Sequence, residues 1–297
     1  MRRYEITYQS ANTADCAKSI TALVCEPDVI GPETGAMLFS HGWGGTRFND
    51  LGKIGEACEP YNLVCIAVEF RQSGFDYDPR GGSGWDCPYD LSFYQLFDVL
   101  NGLREVLALR PGLDTRRLFH YGGSQGGHLA LLGAIAAPRT FAAVYASCAA
   151  TFIAPHFLTW AGRDFFPHEL SVRSVLDHAD CLRCPVYLDH GTADVEVSVE
   201  HTLLLEARLR ELGNPVTAVY YEGGGHQLEP VSNRIDAFKA MAPRFLPTQR
   251  NADPPDFLTG AVVTLPCADR TLVIDWSQPP ARAALFRWEP GVVTSDQ

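Results

Sequence analysis

No apolar run in this 297-residue sequence approaches the ~20 residues needed to cross a membrane. The opening residues, Met1-Arg2-Arg3-Tyr4-Glu5-Ile6-Thr7-Tyr8, carry basic side chains but pass straight into strand-like alternation, without the apolar stretch of a signal peptide. The expected location is therefore cytoplasmic. Positive charge is scarce: 24 Lys and Arg stand against 35 Asp and Glu, a formal net charge of −11. That balance argues against nucleic acid and against an anionic membrane surface as partners. Metal-binding spacing is missing too. Most of the nine cysteines sit in apolar, strand-like surroundings such as those of Cys25, Cys65 and Cys148, where thiols pack as small hydrophobes. Cys181-Leu182-Arg183-Cys184 is a CxxC with no second pair or histidine pair to complete a zinc site, so it reads as structural. The glycines around Ser124 lack the Lys-Ser/Thr of a phosphate-binding loop. No cofactor and no metal are expected. Internal repeats and low-complexity segments are absent.

What the chain does have is strands alternating with helices. Tyr4–Tyr8 and Ile20–Pro27 alternate and read as an opening antiparallel pair. Continuous apolar runs at Gly35–Ser40, Asn62–Phe70, Arg117–Tyr121, Phe141–Cys148, Pro185–Gly191 and Val216–Tyr221 read as buried parallel strands. Helical stretches lie between them over Ile54–Tyr61, Leu91–Leu109, His128–Ala137, Val199–Leu212 and Val231–Phe245. This alternation predicts an α/β fold with a mostly parallel central sheet and helices on both faces. Arg71–Asp90 reads as a long loop. Between Thr151 and Ala179 the pattern loosens and aromatics crowd in, as in a short lid excursion over 151–180. Prolines 247, 254 and 255 then mark a linker, after which Ala261–Pro266 and Arg270–Trp276 face each other across Cys267-Ala268-Asp269. The expected division is a catalytic domain over 1–246 and a linker with a C-terminal β-hairpin over 247–297. That hairpin extends the sheet edge, caps it, or meets a partner chain, a homodimer being one such arrangement.

Gly122-Gly123-Ser124-Gln125-Gly126 sits between a strand and a helix, the setting in which G-x-S-x-G forms a nucleophile elbow. A serine nucleophile needs a base, and the base needs an orienting acid. In this setting the chain order is Ser, then Asp or Glu, then His. His190-Gly191-Thr192-Ala193-Asp194 and Glu222-Gly223-Gly224-Gly225-His226 leave their strands at the edge where open α/β sheets build sites. Asp194 and His226 thus complete the set with Ser124. Asp189 lies inside a strand; Glu196, two residues after Asp194, is the alternative acid, with Asp164 and Asp177 behind it. His41, His128 and His190 read as structural. For the oxyanion of acyl transfer, one N–H comes from Gln125 and the second from the turn His41-Gly42-Trp43-Gly44-Gly45, assigned to Trp43.

Together these motifs resemble the α/β-hydrolase superfamily, and within it the catalytic domain of the prolyl-oligopeptidase family and its stand-alone relatives among dienelactone hydrolases and acetyl or cinnamoyl esterases. Val68-Glu69-Phe70-Arg71-Gln72-Ser73-Gly74 is similar to a strand–Arg–Gly loop of that group. The resemblance covers roughly Gly35 to Leu246 and implies the α/β-hydrolase fold, the Ser-His-Asp triad and hydrolysis of esters or amides. It further implies pocket walls in the aromatic excursion, so Phe152, Phe157 and Trp160 there, with Arg71 of the strand–Arg–Gly loop, are the expected substrate-binding residues. Two departures stand out. The stretch ahead of the strand that ends in the His41 turn is about 35 residues, too few for the family's β-propeller. Trp43 stands where prolyl oligopeptidases carry a tyrosine whose hydroxyl serves the oxyanion, and an indole offers one N–H instead. Both favour a small-molecule carboxylic ester as substrate over a short peptide. Two alternatives stand beside that reading: an oligo- or aminopeptidase of the prolyl-oligopeptidase type, and a hydrolase-fold protein that binds ligand without turnover, against which the intact triad set argues.

Overall fold

The structure is a computed structural model that describes residues 1–9, 19–74, 89–161, 163–279 and 285–291. One sheet is built from β1 (Arg2–Gln9), β2 (Ser19–Glu26), β3 (Gly35–Ser40), β4 (Leu63–Glu69), β5 (Leu118–Gly123), β6 (Ala143–Ser147), β7 (Val186–Gly191) and β8 (Val216–Tyr221). Their order across the sheet is β1-β2-β4-β3-β5-β6-β7-β8. β1 and β2 pair antiparallel, as expected, and β2 runs antiparallel to β4; the remaining neighbours are parallel. This is the strand order of the α/β-hydrolase fold. The helices are α1 (Leu51–Ala57), α2 (Phe93–Leu109), α3 (Gln125–Ala136), α4 (Pro155–Ala161), α5 (Pro167–Ser171), α6 (Glu200–Glu211), α7 (Arg234–Met241) and α8 (Asp256–Thr259). None of them is long and apolar enough to cross a membrane.

The central strands are apolar on both sides because both are covered. Leu38, Val64, Ile66 and Leu118 face a core shared with α2, α3 and α6. Met37, Phe39, Cys65, Phe119 and Tyr121, offset by one residue, face a second core shared with α1 and α7. α3 is buried along its whole length, which accounts for an apolar sequence without a polar face. Helix ends departed from expectation by a few residues for local reasons. α1 stops at Ala57, ahead of Pro60, which cannot continue a helix. α7 starts at Arg234 because the Asn233 side chain accepts from the Ile235 and Asp236 amides at 3.0 and 2.9 Å.

The C-terminal hairpin is present and gains one strand. β9 (Val262–Cys267) and β10 (Arg270–Asp275) form the anticipated hairpin, but β11 (Phe286–Pro290) adds a third antiparallel strand along β10. This small sheet is separate from the eight-stranded one and packs onto its helices. Leu265, Leu272, Ile274, Trp276 and Phe286 belong to the same core as α2 and α3. The Phe286 ring stacks on Phe97 at 4.5 Å and meets Phe93 edge-on at 5.1 Å. Trp276 is 1% exposed, and its Nε1–H donates to the Ala136 carbonyl at 2.9 Å. That carbonyl is among those at the end of α3 that have no partner within the helix. α8 is anchored through Asp256, wholly buried, which accepts from the Arg139 amide at 2.7 Å.

The excursion after β6 holds α4 and α5 and is tied down by Arg173. That guanidinium donates to the carbonyls of Leu91 and Asp90, each at 2.7 Å, and of Glu169 at 2.6 Å. Burial lowers its pKa to about 10, so it stays charged at neutral pH. The excursion is therefore a fixed wall beside the start of α2.

Trp276→Ala should cost about 3–5 kcal/mol, because it opens a cavity and leaves the Ala136 carbonyl without its donor. Truncation after Leu246 should give an aggregating or loosely packed chain. Denaturant unfolding and gel filtration check both; a truncated chain that unfolds cooperatively at the full-length midpoint would show that the C-terminal sheet carries no share of the core.

Candidate active site

The elbow is fixed by close approach. A Cβ on residue 126 would sit 1.8 Å from the Ser40 carbonyl oxygen, and one on residue 122 would sit 2.0 Å from that of Gly126. Ser124 between them adopts φ +57°, ψ −125°, a conformation that costs on the order of 1–3 kcal/mol for a residue with a side chain. It is held there by its amide, which donates to the Ser147 carbonyl at 2.8 Å, and by its carbonyl, which accepts from His128 at 3.1 Å. The turn delivers Ser124 Oγ above the sheet at the N-terminus of α3.

The loops after β7 and β8 are laced together beside it. The Ala193 amide donates to the Gly224 carbonyl at 2.8 Å, and a Cβ on residue 191 would lie 2.2 Å from that same oxygen. This fixes Asp194 against His226. His226 Nδ1–H donates to Asp194 Oδ2 at 2.7 Å, leaving Nε2 as acceptor for the Ser124 hydroxyl at 2.9 Å. Arg234 Nη2 donates to the His226 carbonyl at 2.7 Å and holds the loop from the other side. The three residues expected from chain order are thus brought into one hydrogen-bonded chain.

Asp194 has more partners than the sequence suggested. Its Oδ1 accepts from the amides of Glu196 and Val197, each at 2.9 Å. His190, expected to be structural, reaches Oδ2 with Nε2 at 3.2 Å. The same Nε2–H donates to the Val197 carbonyl at 2.8 Å, while Nδ1 accepts from the Thr202 hydroxyl at 2.7 Å. Burial pushes the Asp194 carboxyl up, but the bonds from His190, His226 and the Val197 amide outweigh it and hold the group far below its ordinary range. It is a carboxylate at any pH near neutrality. Asp189, five residues earlier and within β7, differs: burial raises its pKa, and it accepts from the Tyr145 hydroxyl inside the core. The rival acid Glu196 lies 3.8 Å from His226 Nε2, on the serine side of the ring, where it cannot orient Nδ1.

Gln125, the first residue of α3, has no carbonyl within the helix for its N–H to bond. Its carboxamide is locked: it accepts from Tyr89 Oη at 2.7 Å and donates to Gln95 Oε1 at 2.8 Å. Trp43 stacks on the Tyr89 ring with centroids 3.9 Å apart. Between Trp43 and the serine, Gly42 lies so close that a Cβ there would be 3.3 Å from Ser124 Cβ. Both residues expected to donate to an oxyanion therefore flank Ser124. Tyr89 and Gln95 were missed because their partner lies 30 or more residues away.

An open cavity of about 270 Å³ lies in front of Ser124, and Trp43, Leu91, Phe157, Val197 and Glu196 are among its walls. Of the expected substrate-binding residues, Phe157 is in this wall. Phe152 is not: it precedes α4 and packs on the His201 ring at 4.1 Å. The Trp160 side chain lies outside the described residues, as does most of the loop expected over Arg71–Asp90. Arg71 is displaced from its expected role. It is 2% exposed and forms a two-bond ion pair with Asp98 on α2, Nε–Oδ2 and Nη2–Oδ1 both at 2.8 Å. Its carbonyl accepts from Gln95 Nε2 at 3.1 Å, so it supports the network under Gln125 instead of touching the cavity.

Among the described residues, one group could in principle ligate a metal: Cys148, His190 and Asp194, with ligand atoms within 4.8 Å of one another. Both His190 nitrogens are already hydrogen-bonded, and burial pushes the Cys148 thiol up to about 12. The donor set does not suit a resident ion. Cys181 and Cys184 are free thiols, one half-buried and one buried.

A model of the prolyl oligopeptidase family matches residues 78–247, more than half of the chain. A Bacillus subtilis (strain 168) protein described as uncharacterized peptidase YtmA is 28% identical over 185 residues, which span 56% of this chain and 70% of that protein. Among solved structures, the Pyrococcus horikoshii acylaminoacyl peptidase superposes with a TM-score of 0.65 at 16% identity, covering 84% of this chain and 43% of that one. A Mycobacterium tuberculosis puromycin-hydrolyzing peptidase gives 0.61 at 19% identity, covering 81% and 39%. This chain spans less than half the length of those two structures, and their likeness is one of fold. The family match, falling on the elbow and on both loops that meet it, identifies the chain as a member of the prolyl oligopeptidase family.

Proposed function

We propose that the protein is a serine hydrolase that cleaves short peptides through an acyl-enzyme, with small carboxylic esters as secondary substrates. The observation that carries this reading is the chain Asp194–His226–Ser124, with bonds of 2.7 and 2.9 Å, opening on an apolar cavity. Ser124 Oγ attacks the scissile carbonyl while His226 Nε2 takes its proton; Asp194 holds the tautomer and stabilises the imidazolium. The oxyanion is received by the Gln125 and Trp43 amides, each worth on the order of 3 kcal/mol in the transition state. His226 then protonates the leaving amine, and water resolves the acyl-enzyme by the same steps in reverse. Family membership moves the preference from the ester anticipated in the sequence to the peptide bond, since the matched B. subtilis protein and the solved structures are described as peptidases. The free thiols fit a reducing, cytoplasmic setting.

Matched p-nitroanilide and p-nitrophenyl ester substrates of one short acyl group separate the two bonds. Measurable release from the anilide is expected. Ester turnover with no detectable anilide turnover would make the enzyme an esterase.

Asp194→Asn should lower kcat by about three to four decades with little change in KM, because the wrong tautomer becomes accessible while the cavity is untouched. The same variant should be less stable by about 1–3 kcal/mol at pH 7. The native carboxyl pKa lies below its unfolded value of about 3.9, so the stabilisation is complete above that value and fades as pH falls towards the folded pKa. The gap between the melting temperatures of wild type and variant should thus narrow below about pH 4. A gap that widens there would contradict the assignment.

A further inference from the structure

The cavity in front of Ser124 is chemically lopsided. Trp43, Leu91, Ala150, Phe157 and Val197 make its described walls apolar. His128 at its edge is 2% exposed and donates Nε2–H to the Arg173 carbonyl at 2.8 Å; burial lowers its pKa to about 4, so it stays neutral. Among the described residues that line the cavity there is neither lysine nor arginine, and the single carboxylate is that of Glu196.

Three features make that carboxylate more than a solvated surface charge. Its backbone is fixed, because the Glu196 amide donates to Asp194 Oδ1 at 2.9 Å. Its Oε2 lies 3.8 Å from His226 Nε2, which is 2.9 Å from Ser124 Oγ, so the charge stands within about two residues' length of the nucleophile. And among the described residues its one ion-pair neighbour is that His226 ring: no lysine or arginine neutralises it. The side chain is 66% exposed, which leaves the charge hydrated and open to an arriving substrate. The catalytic machinery does not use it, since Asp194 already fills the role of acid.

We infer that Glu196 is a specificity-determining residue that favours substrates carrying an organic cation, an ammonium or guanidinium, next to the scissile bond. The inference rests on the hydrolysis proposed above. A cation placed within a few ångströms of this carboxylate gains Coulomb energy that a neutral isostere does not, and an anion there is repelled. The exposure of the group limits the gain to about five- to tenfold in kcat/KM, and salt should reduce it. The cation has two sources in a peptide: the free α-amine of an N-terminal residue, or a basic side chain.

Two matched pairs of p-nitroanilides distinguish them. Alanyl against acetyl-alanyl reads the α-amine, and acetyl-lysyl against acetyl-norleucyl reads the side chain. In wild type at least one pair should favour its cationic member by about five- to tenfold, falling with added salt. In Glu196→Gln that ratio should collapse towards one, and in Glu196→Lys it should invert. A ratio near one in both pairs for wild type, or an unchanged ratio in Glu196→Gln, overturns the inference. If the anilides are inert, the corresponding p-nitrophenyl esters carry the same comparison. If neither series turns over, the proposed hydrolysis fails by itself. The preference is then read by calorimetry as binding of lysinamide against norleucinamide to wild type and Glu196→Gln, with equal affinities in wild type counting against Glu196.

Discussion

The carbonyl oxygen of Ser40 leaves no room for a side chain on residue 126, and the rest of the site follows from that contact. It exists because β3 and β5 pair in parallel with Ser40 opposite Gly122, which presses the first turn of α3 onto the end of β3. Glycines at 122 and 126 let the chain reverse in that space. The residue between them is then forced to positive φ with its side chain directed away from the sheet. The same reversal puts the start of α3 beside Ser124, so the proposed nucleophile and the proposed amide donor arise from one turn. A side chain at either glycine would move both together.

The second requirement is a charge held where water is nearly excluded. Asp194 is buried, and burial alone would favour its neutral form. Two loop amides and two imidazoles reverse that preference. The amides belong to Glu196 and Val197, so the loop that carries the acid also solvates it and sets the position of Glu196 at the cavity mouth. His190 braces the acid from within β7, and Thr202 on α6 braces His190. The C-terminal sheet acts further back: Trp276 and Phe286 pack on α2 and α3, the two helices that position Gln95 and Gln125.

How much of this could be read from residues alone depended on the range of the interactions. The elbow was legible because its demand for small residues is local, and Asp194 and His226 because chain order and strand ends constrain them. The parallel core strands were legible from apolar runs buried on both faces. Arg71 was misplaced because its partner Asp98 lies 27 residues along, on another element. Phe152 and Phe157 could not be separated until α4 turned one towards the cavity and left the other against His201. β11 was missed because a five-residue strand whose Phe286 and Trp288 alternate with Arg287 and Glu289 has meaning only against the aromatic face of α2.

The central claim is that Ser124 is the activated nucleophile. Reaction with a fluorophosphonate, followed by intact mass and peptide mapping, tests it most directly. The account predicts a single adduct on the peptide containing Ser124, lost in a folded Ser124→Ala variant. An adduct on another residue, or undiminished labelling of that variant, would contradict it.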